Sequence, residues 1–132
     1  MPNFTQQTIN NGSFARCIEN TDTFTLDVAT AETLSEGLIL ARNTTTGNLG
    51  FYARGGADGL DVPRYILTSD VEVTAADVTA TTKNVQAMTT GEVRDDRIST
   101  KAGDTIDYRE IDGLKDNSIT VADNTDLSFT DL

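Results

Sequence analysis

The 132-residue sequence contains no histidine and no tryptophan, and it has a single cysteine. Without histidine, Ser-His-Asp and Cys-His nucleophilic machinery and imidazole metal ligands are excluded. With one thiol, an internal disulfide framework and a cysteine-based metal site are excluded as well. The sequence predicts a small buried thiol at Cys17 rather than a nucleophile. We therefore expect no catalytic residues, no cofactor, no metal site and no enzymatic activity.

Basic residues and long apolar runs are also scarce. Ten Lys and Arg residues face 21 Asp and Glu residues, which gives a formal net charge of −11. This balance argues against binding nucleic acid by phosphate neutralisation and against an anionic membrane surface. No apolar run approaches the roughly 18 residues of a membrane span, and the N-terminus lacks the basic and apolar regions of a signal peptide. The sequence predicts a soluble protein that is not secreted by the signal-peptide route, with neither nucleic acid nor membrane as a partner.

Short β-prone stretches fill most of the chain. "TFTLDV" alternates apolar and polar residues with the period of a half-buried strand. "LILAR" and "LGFYA", joined by the turn "NTTTGN", predict a hairpin. Further strands are predicted for "RYILTSDVEV", "NVQAM", "TIDYRE", "SITV" and "LSF", and two helical turns for "ATAETLSEG". The fold class is therefore all-β, a small β-clip or barrel-like domain with short strands, an extended N-terminal arm and at most one or two short helices.

The N-terminal region has a different composition from the rest of the chain. Its first eleven residues are mostly Asn, Gln and Thr, and Phe4 and Ile9 are scattered apolar anchors among them. Such a segment orders only against something else. We divide the chain into an extended arm, residues 1–22, and a β-rich domain, residues 23–132.

Two polar stretches suggest chemistry at first sight. The loop "GGADG" after Arg54 lacks the alternating oxygen ligands and final Glu of a calcium loop and the Lys-Ser/Thr of a phosphate loop. We interpret it as turn chemistry, with Arg42 and Arg54 balancing nearby acids. In "RDDR" (residues 94–97) the flanking arginines keep both carboxylates ionised, which suits an exposed salt-bridged turn better than a general acid.

The order of these signals over residues 24–121 resembles the head decoration, or capsid cement, proteins of tailed bacteriophages. The stretches that carry the resemblance are "GLILARNTTTGNLGFY", "GGADGLDVPRYILTSDVEV", "GEVRDDRI" and "LKDNSITV". Tyr65 departs from the pattern, because the family tends to have glycine there. The resemblance implies a homotrimer that binds the major capsid protein on the outer surface of an expanded phage capsid and stabilises it. The protein would then be made in the host cytoplasm and reside in the virion.

Under this hypothesis the polar arm adds a strand to a loop of the capsid protein, with affinity from main-chain hydrogen bonds. Its candidate contacts are Phe4, Thr8, Ile9 and Phe14. Two alternatives stay open. One is a β domain associated with a phage tail or fibre. The other is a small trimeric nucleotide hydrolase of the dUTPase type, although the tail "NTDLSFTDL" is acidic and has no glycine to close over phosphates.

Overall fold

The computed structural model of the protein describes residues 15–122, which form eight strands and two short helices. In chain order they are β1 (Ala15–Asp27), β2 (Glu32–Leu34), β3 (Ile39–Arg42), β4 (Leu49–Phe51), β5 (Tyr65–Leu67), β6 (Val71–Val73), α1 (Ala75–Ala80), β7 (Thr82–Arg94), α2 (Tyr108–Asp116) and β8 (Ile119–Ala122). The structure consists mostly of strands with two short helices, which confirms the predicted all-β fold class.

Five of the strands close on themselves. β3 pairs antiparallel with β4 and β5, β5 pairs with β7, and β7 pairs with β1, which meets β4 at Leu26 and Leu49. β8 then adds to β7 in parallel, and β2 and β6 form a separate antiparallel pair. The predicted hairpin is the β3–β4 pair.

Both faces of the central strands are buried, which explains why "LILAR" is apolar without interruption. In β3, Ile39 and Ala41 belong to one buried cluster and Leu40 to another. The first cluster includes Leu114 of α2, and the second includes Leu34 of β2. A helix therefore covers one face of the sheet, and the small β2–β6 pair covers the other.

Three predicted elements are wrong in type or extent. "ATAETLSEG" is not helical, because its Leu34 is buried in strand β2 opposite Val71 of β6. "TIDYRE" is a helix start, because Asp107 and Glu110 form a capping box at the beginning of α2. "RYILTSDVEV" is two strands, β5 and β6, and Asp70 between them accepts a hydrogen bond from the backbone of Glu36.

The predicted strand "TFTLDV" is the inner part of a longer strand. β1 already begins at Ala15, so residues 15–22 of the predicted arm are strand in the structure. The predicted strand "LSF" lies outside the described residues, as does the arm before Ala15. The division of the chain at residue 22 stays a prediction.

Candidate functional site

The outer half of β1 is an exposed strand with one neighbouring strand. All of residues 17–23 are exposed, including the large apolar Ile18, at 45%. One edge of β1 pairs with β7 along its whole length. On the other edge, within residues 15–122, the single paired residue is Leu26, which meets Leu49 of β4. Such an edge offers backbone N–H and C=O groups to an incoming strand.

The strands β1, β7 and β8 meet at Gly91. This residue pairs with Ile18 on one side and Ile119 on the other, and its φ is 154°. A Cβ at this position would overlap the carbonyl oxygen of Cys17 and lie 2.9 Å from Sδ of the buried Met88. Glycine is therefore required here for the close approach of β1 to β7.

The four predicted capsid contacts, Phe4, Thr8, Ile9 and Phe14, lie outside the described residues. β1 begins directly after Phe14, so the exposed residues 17–23 follow closely on the last of the predicted contacts. Cys17, predicted to be a buried thiol, is exposed. The prediction failed because residues 17–23 extend beyond the part of β1 that packs on the core. No alternation of apolar residues in "CIENTDT" indicated a strand.

The most deeply buried charge is the carboxylate of Glu110 on α2, which is fully buried. It accepts hydrogen bonds from Oη of Tyr52 (2.7 Å), from Nε (2.9 Å) and Nη2 (2.8 Å) of Arg54, and from the backbone of Asp107 (3.0 Å). Arg54 also lies 3.5 Å from Asp107 and 3.9 Å from Asp104. The cluster fastens the segment after β4 to α2 and confirms that Arg54 balances acids.

The protonation states of this cluster oppose a role in proton transfer. Burial by itself raises the pKa of Glu110, but hydrogen bonds from Arg54, Tyr52 and the Asp107 backbone outweigh it and lower that pKa to about 2. Burial, followed by the hydrogen bond to Glu110, raises the pKa of Tyr52 to about 12. The hydrogen bond to Glu110 also raises the pKa of Arg54. At neutral pH the carboxylate is ionised and fully engaged, so the cluster is structural.

These pKa shifts predict how stability depends on pH. Because the folded pKa of Glu110 is depressed, its contribution is present above pH 4.5 and is lost as the pH falls towards about 2. Because the folded pKa of Tyr52 is raised, its contribution is present below pH 10 and is lost as the pH rises towards about 12. Urea unfolding across pH should show both losses. Glu110→Gln should weaken the acid loss and Tyr52→Phe the alkaline loss, and unchanged profiles in these variants would contradict the assignment.

The other polar stretches form turns. In "RDDR", Arg94 and Arg97 lie 3.0 Å and 3.9 Å from Asp96, which confirms the salt-bridged turn. Arg42 has partners other than the predicted acids, because it donates to the carbonyl of Gly47 and to Oη of Tyr65. Its guanidinium group lies 5.8 Å from the ring centres of both Tyr65 and Phe24.

Two further features of the described residues concern possible ligands and membranes. Within residues 15–122, no group of three or more Cys, Asp and Glu side chains is arranged to hold a metal ion. In the same part of the chain, neither helix has the length and apolar character needed to cross a membrane.

Comparison with known families identifies the family of the chain. The family described as bacteriophage lambda head decoration protein D matches residues 6–115, which include most of the arm, all of β1 and nearly all of α2. The chain belongs to this family. The match confirms the resemblance, and no curated protein matches the chain. As a member of a family of phage head proteins, this decoration protein associates with the phage capsid and is part of the virion.

Proposed function

We propose that this decoration protein binds the outer surface of an expanded phage capsid as a homotrimer and cements it by contacting the major capsid protein. It is made in the host cytoplasm and has no enzymatic role. The single observation that carries the proposal is the exposed edge of β1, residues 17–23, which continues directly into the N-terminal arm. An extended polar segment that leaves the fold from an open strand edge suits main-chain recognition.

The reach of the arm supports contact with a neighbouring capsid subunit. Fourteen residues precede β1, and in extended form they span about 46 Å at roughly 3.3 Å per residue. When the arm pairs as a strand, Phe4, Thr8 and Phe14 share one face, because their numbers differ by multiples of two. Ile9 then lies on the opposite face. Three apolar or β-branched anchors on one side set the register of an otherwise polar strand.

Trimerisation supplies the rest of the affinity. One arm that orders on binding pays for its lost chain entropy, which limits the affinity of a single contact. Once one arm of a trimer is bound, the other two arms are held at a high effective concentration near their own binding sites, so the trimer binds more tightly than any single arm. Because the arms attach to different capsid subunits, the same contacts resist separation of the shell.

The only cysteine of the chain provides a direct test. Cys17 lies exposed on the proposed binding edge, so its reaction with a maleimide should slow about ten-fold or more when the protein binds expanded shells. Unexpanded shells should bind weakly and protect it little. The matched control is Glu72→Cys in a Cys17→Ser background, since Glu72 is exposed on β6, outside the closed sheet.

The control thiol should react equally fast in free and shell-bound protein. Equal reactivity of Cys17 in both states would contradict the use of this edge. Failure of the protein to remain with expanded shells during sedimentation would contradict the proposed function as a whole.

A further inference from the structure

The pairing of β1 with β7 changes character at Thr21. From Thr21 to Asp27 each residue of β1 faces one residue of β7 in strict register. From Ala15 to Asn20 the register breaks repeatedly. Arg16 and Glu19 are extra residues on β1, because they have no partner in the register with β7, and Thr89 is an extra residue on β7 for the same reason. Bulges of this kind bend a strand and increase its local twist.

Contacts on both strands hold the irregular half in place. The hydroxyl of Thr89, the extra residue on β7, donates to the carbonyl of Asn20 at 3.3 Å. Gly91 lets the carbonyl of Cys17 approach β7 more closely than any side chain would allow. On its other side Gly91 is braced by β8, and its N–H donates to the carbonyl of Ser118 at 3.3 Å. Specific contacts on both strands thus hold the bulged pairing at the start of β1.

We propose that this bulged junction, with Glu19 and Gly91 as positioning residues, sets the direction and facing of the N-terminal arm towards the capsid. The inference rests on the proposed function and deepens it. Removing one residue from a strand moves everything before it by about 3.3 Å and turns each side chain to the opposite face. Three arms on a trimer engage together only when all leave the body in the right direction.

Deletion of Glu19 is the decisive variant, because Glu19 is exposed and belongs to neither buried cluster. We expect this deletion to weaken binding to expanded shells about ten-fold or more. Thermal unfolding, trimer formation and amide exchange at Thr23 and Leu26 should remain as in the wild type. The matched control is Glu19→Ala, which removes the charge and keeps the extra residue, and it should bind shells as the wild type does.

Gly91→Ala tests the same junction from β7. It should speed amide exchange at Ile18 and weaken shell binding, and Gly47→Ala serves as its control. Gly47 also has a positive φ, 81°, but no atom lies within 4 Å of an added Cβ. Gly47→Ala therefore carries the backbone strain without the clash and should keep its shell affinity. If Gly91→Ala does not fold, the Glu19 deletion still tests whether the junction positions the arm.

The outcomes separate this inference from the function on which it rests. The inference is overturned if the Glu19 deletion binds shells like the wild type, or if Glu19→Ala loses as much affinity as the deletion. A third protein lacking residues 1–13 is assayed alongside. If the protein lacking residues 1–13 binds shells normally, strand addition by the arm is overturned. If that protein does not bind shells but the Glu19 deletion does, only the positioning role of the junction is overturned.

Discussion

A protein lacking residues 1–13 is expected to fold normally and to lose its binding to expanded capsids. The deleted residues precede β1, so every described strand and helix and all members of the two buried clusters are retained. Binding should fall about 100-fold or more, because three arms act together and all are removed. Co-sedimentation with expanded shells measures the binding, and electron micrographs of shells with and without the protein show the decoration. Thermal unfolding checks the fold.

The control for this deletion changes polar arm residues that are not candidate contacts. Asn10→Ala with Asn11→Ala should leave binding unchanged, whereas Phe4→Ser with Ile9→Ser should weaken it substantially. An arm-less protein that still decorates shells would refute strand addition by the arm. Equal losses in the two double variants would show that the arm acts through its length or polarity instead of through the apolar anchors.

Replacing Glu110 by alanine is expected to be the most destabilising single substitution within the Arg54 cluster. The carboxylate is fully buried and is the shared acceptor for Tyr52 and Arg54. Its removal leaves the hydroxyl of Tyr52 without its acceptor and opens a cavity between α2 and the segment after β4, whereas Arg54 keeps Asp104 and Asp107 nearby. Because the Arg54 side chain is 27% exposed, the full cost of breaking a buried ion pair does not apply. We expect a loss of about 1.5 to 3 kcal/mol, the range for hydrogen bonds to a charged group. Urea unfolding of the purified protein at neutral pH measures the loss.

Two variants calibrate that measurement. Asp112→Ala removes an acid from the exposed side of the same helix and should change the free energy of unfolding by less than about 0.5 kcal/mol. Tyr52→Phe removes one hydrogen bond to the carboxylate and should cost about 1 to 2 kcal/mol. If Glu110→Ala costs no more than Asp112→Ala, the cluster does not stabilise the fold.

Local patterns predicted the hairpin and missed the longer helix. "LILAR", "NTTTGN" and "LGFYA" contain their own strand and turn signals, so β3 and β4 followed from neighbouring residues. In "TIDYRE" the β-prone Thr, Ile and Tyr suggested a strand. The capping box of Asp107 and Glu110 was a readable helix signal in the same letters. The segment forms a helix and not a strand because, in addition to the capping box, Glu110 and Leu114 bury their side chains on one face of α2.

Local sequence patterns were also informative for one part of the candidate site and uninformative for another. The polar composition of the first eleven residues is readable in the sequence, and the assignment of this segment as a binding arm stays a prediction. The exposed half of β1 could not be recognised from the sequence, because an edge strand that buries neither face has no alternating pattern of apolar and polar residues. The burial of Cys17 was mispredicted for that reason.

The sequence by itself determined the β-rich class, the acidic charge, the absence of histidine-based chemistry and the membership of the decoration family. The first three depend on composition and on residues close together in the chain, and the family match depends on the order of residues over positions 6–115. Only the tertiary structure placed Glu110 beside Arg54, 56 residues away, and Gly91 against the carbonyl of Cys17. The physical reason is that burial, pKa and close backbone approach are set by residues distant in sequence, which no local pattern specifies.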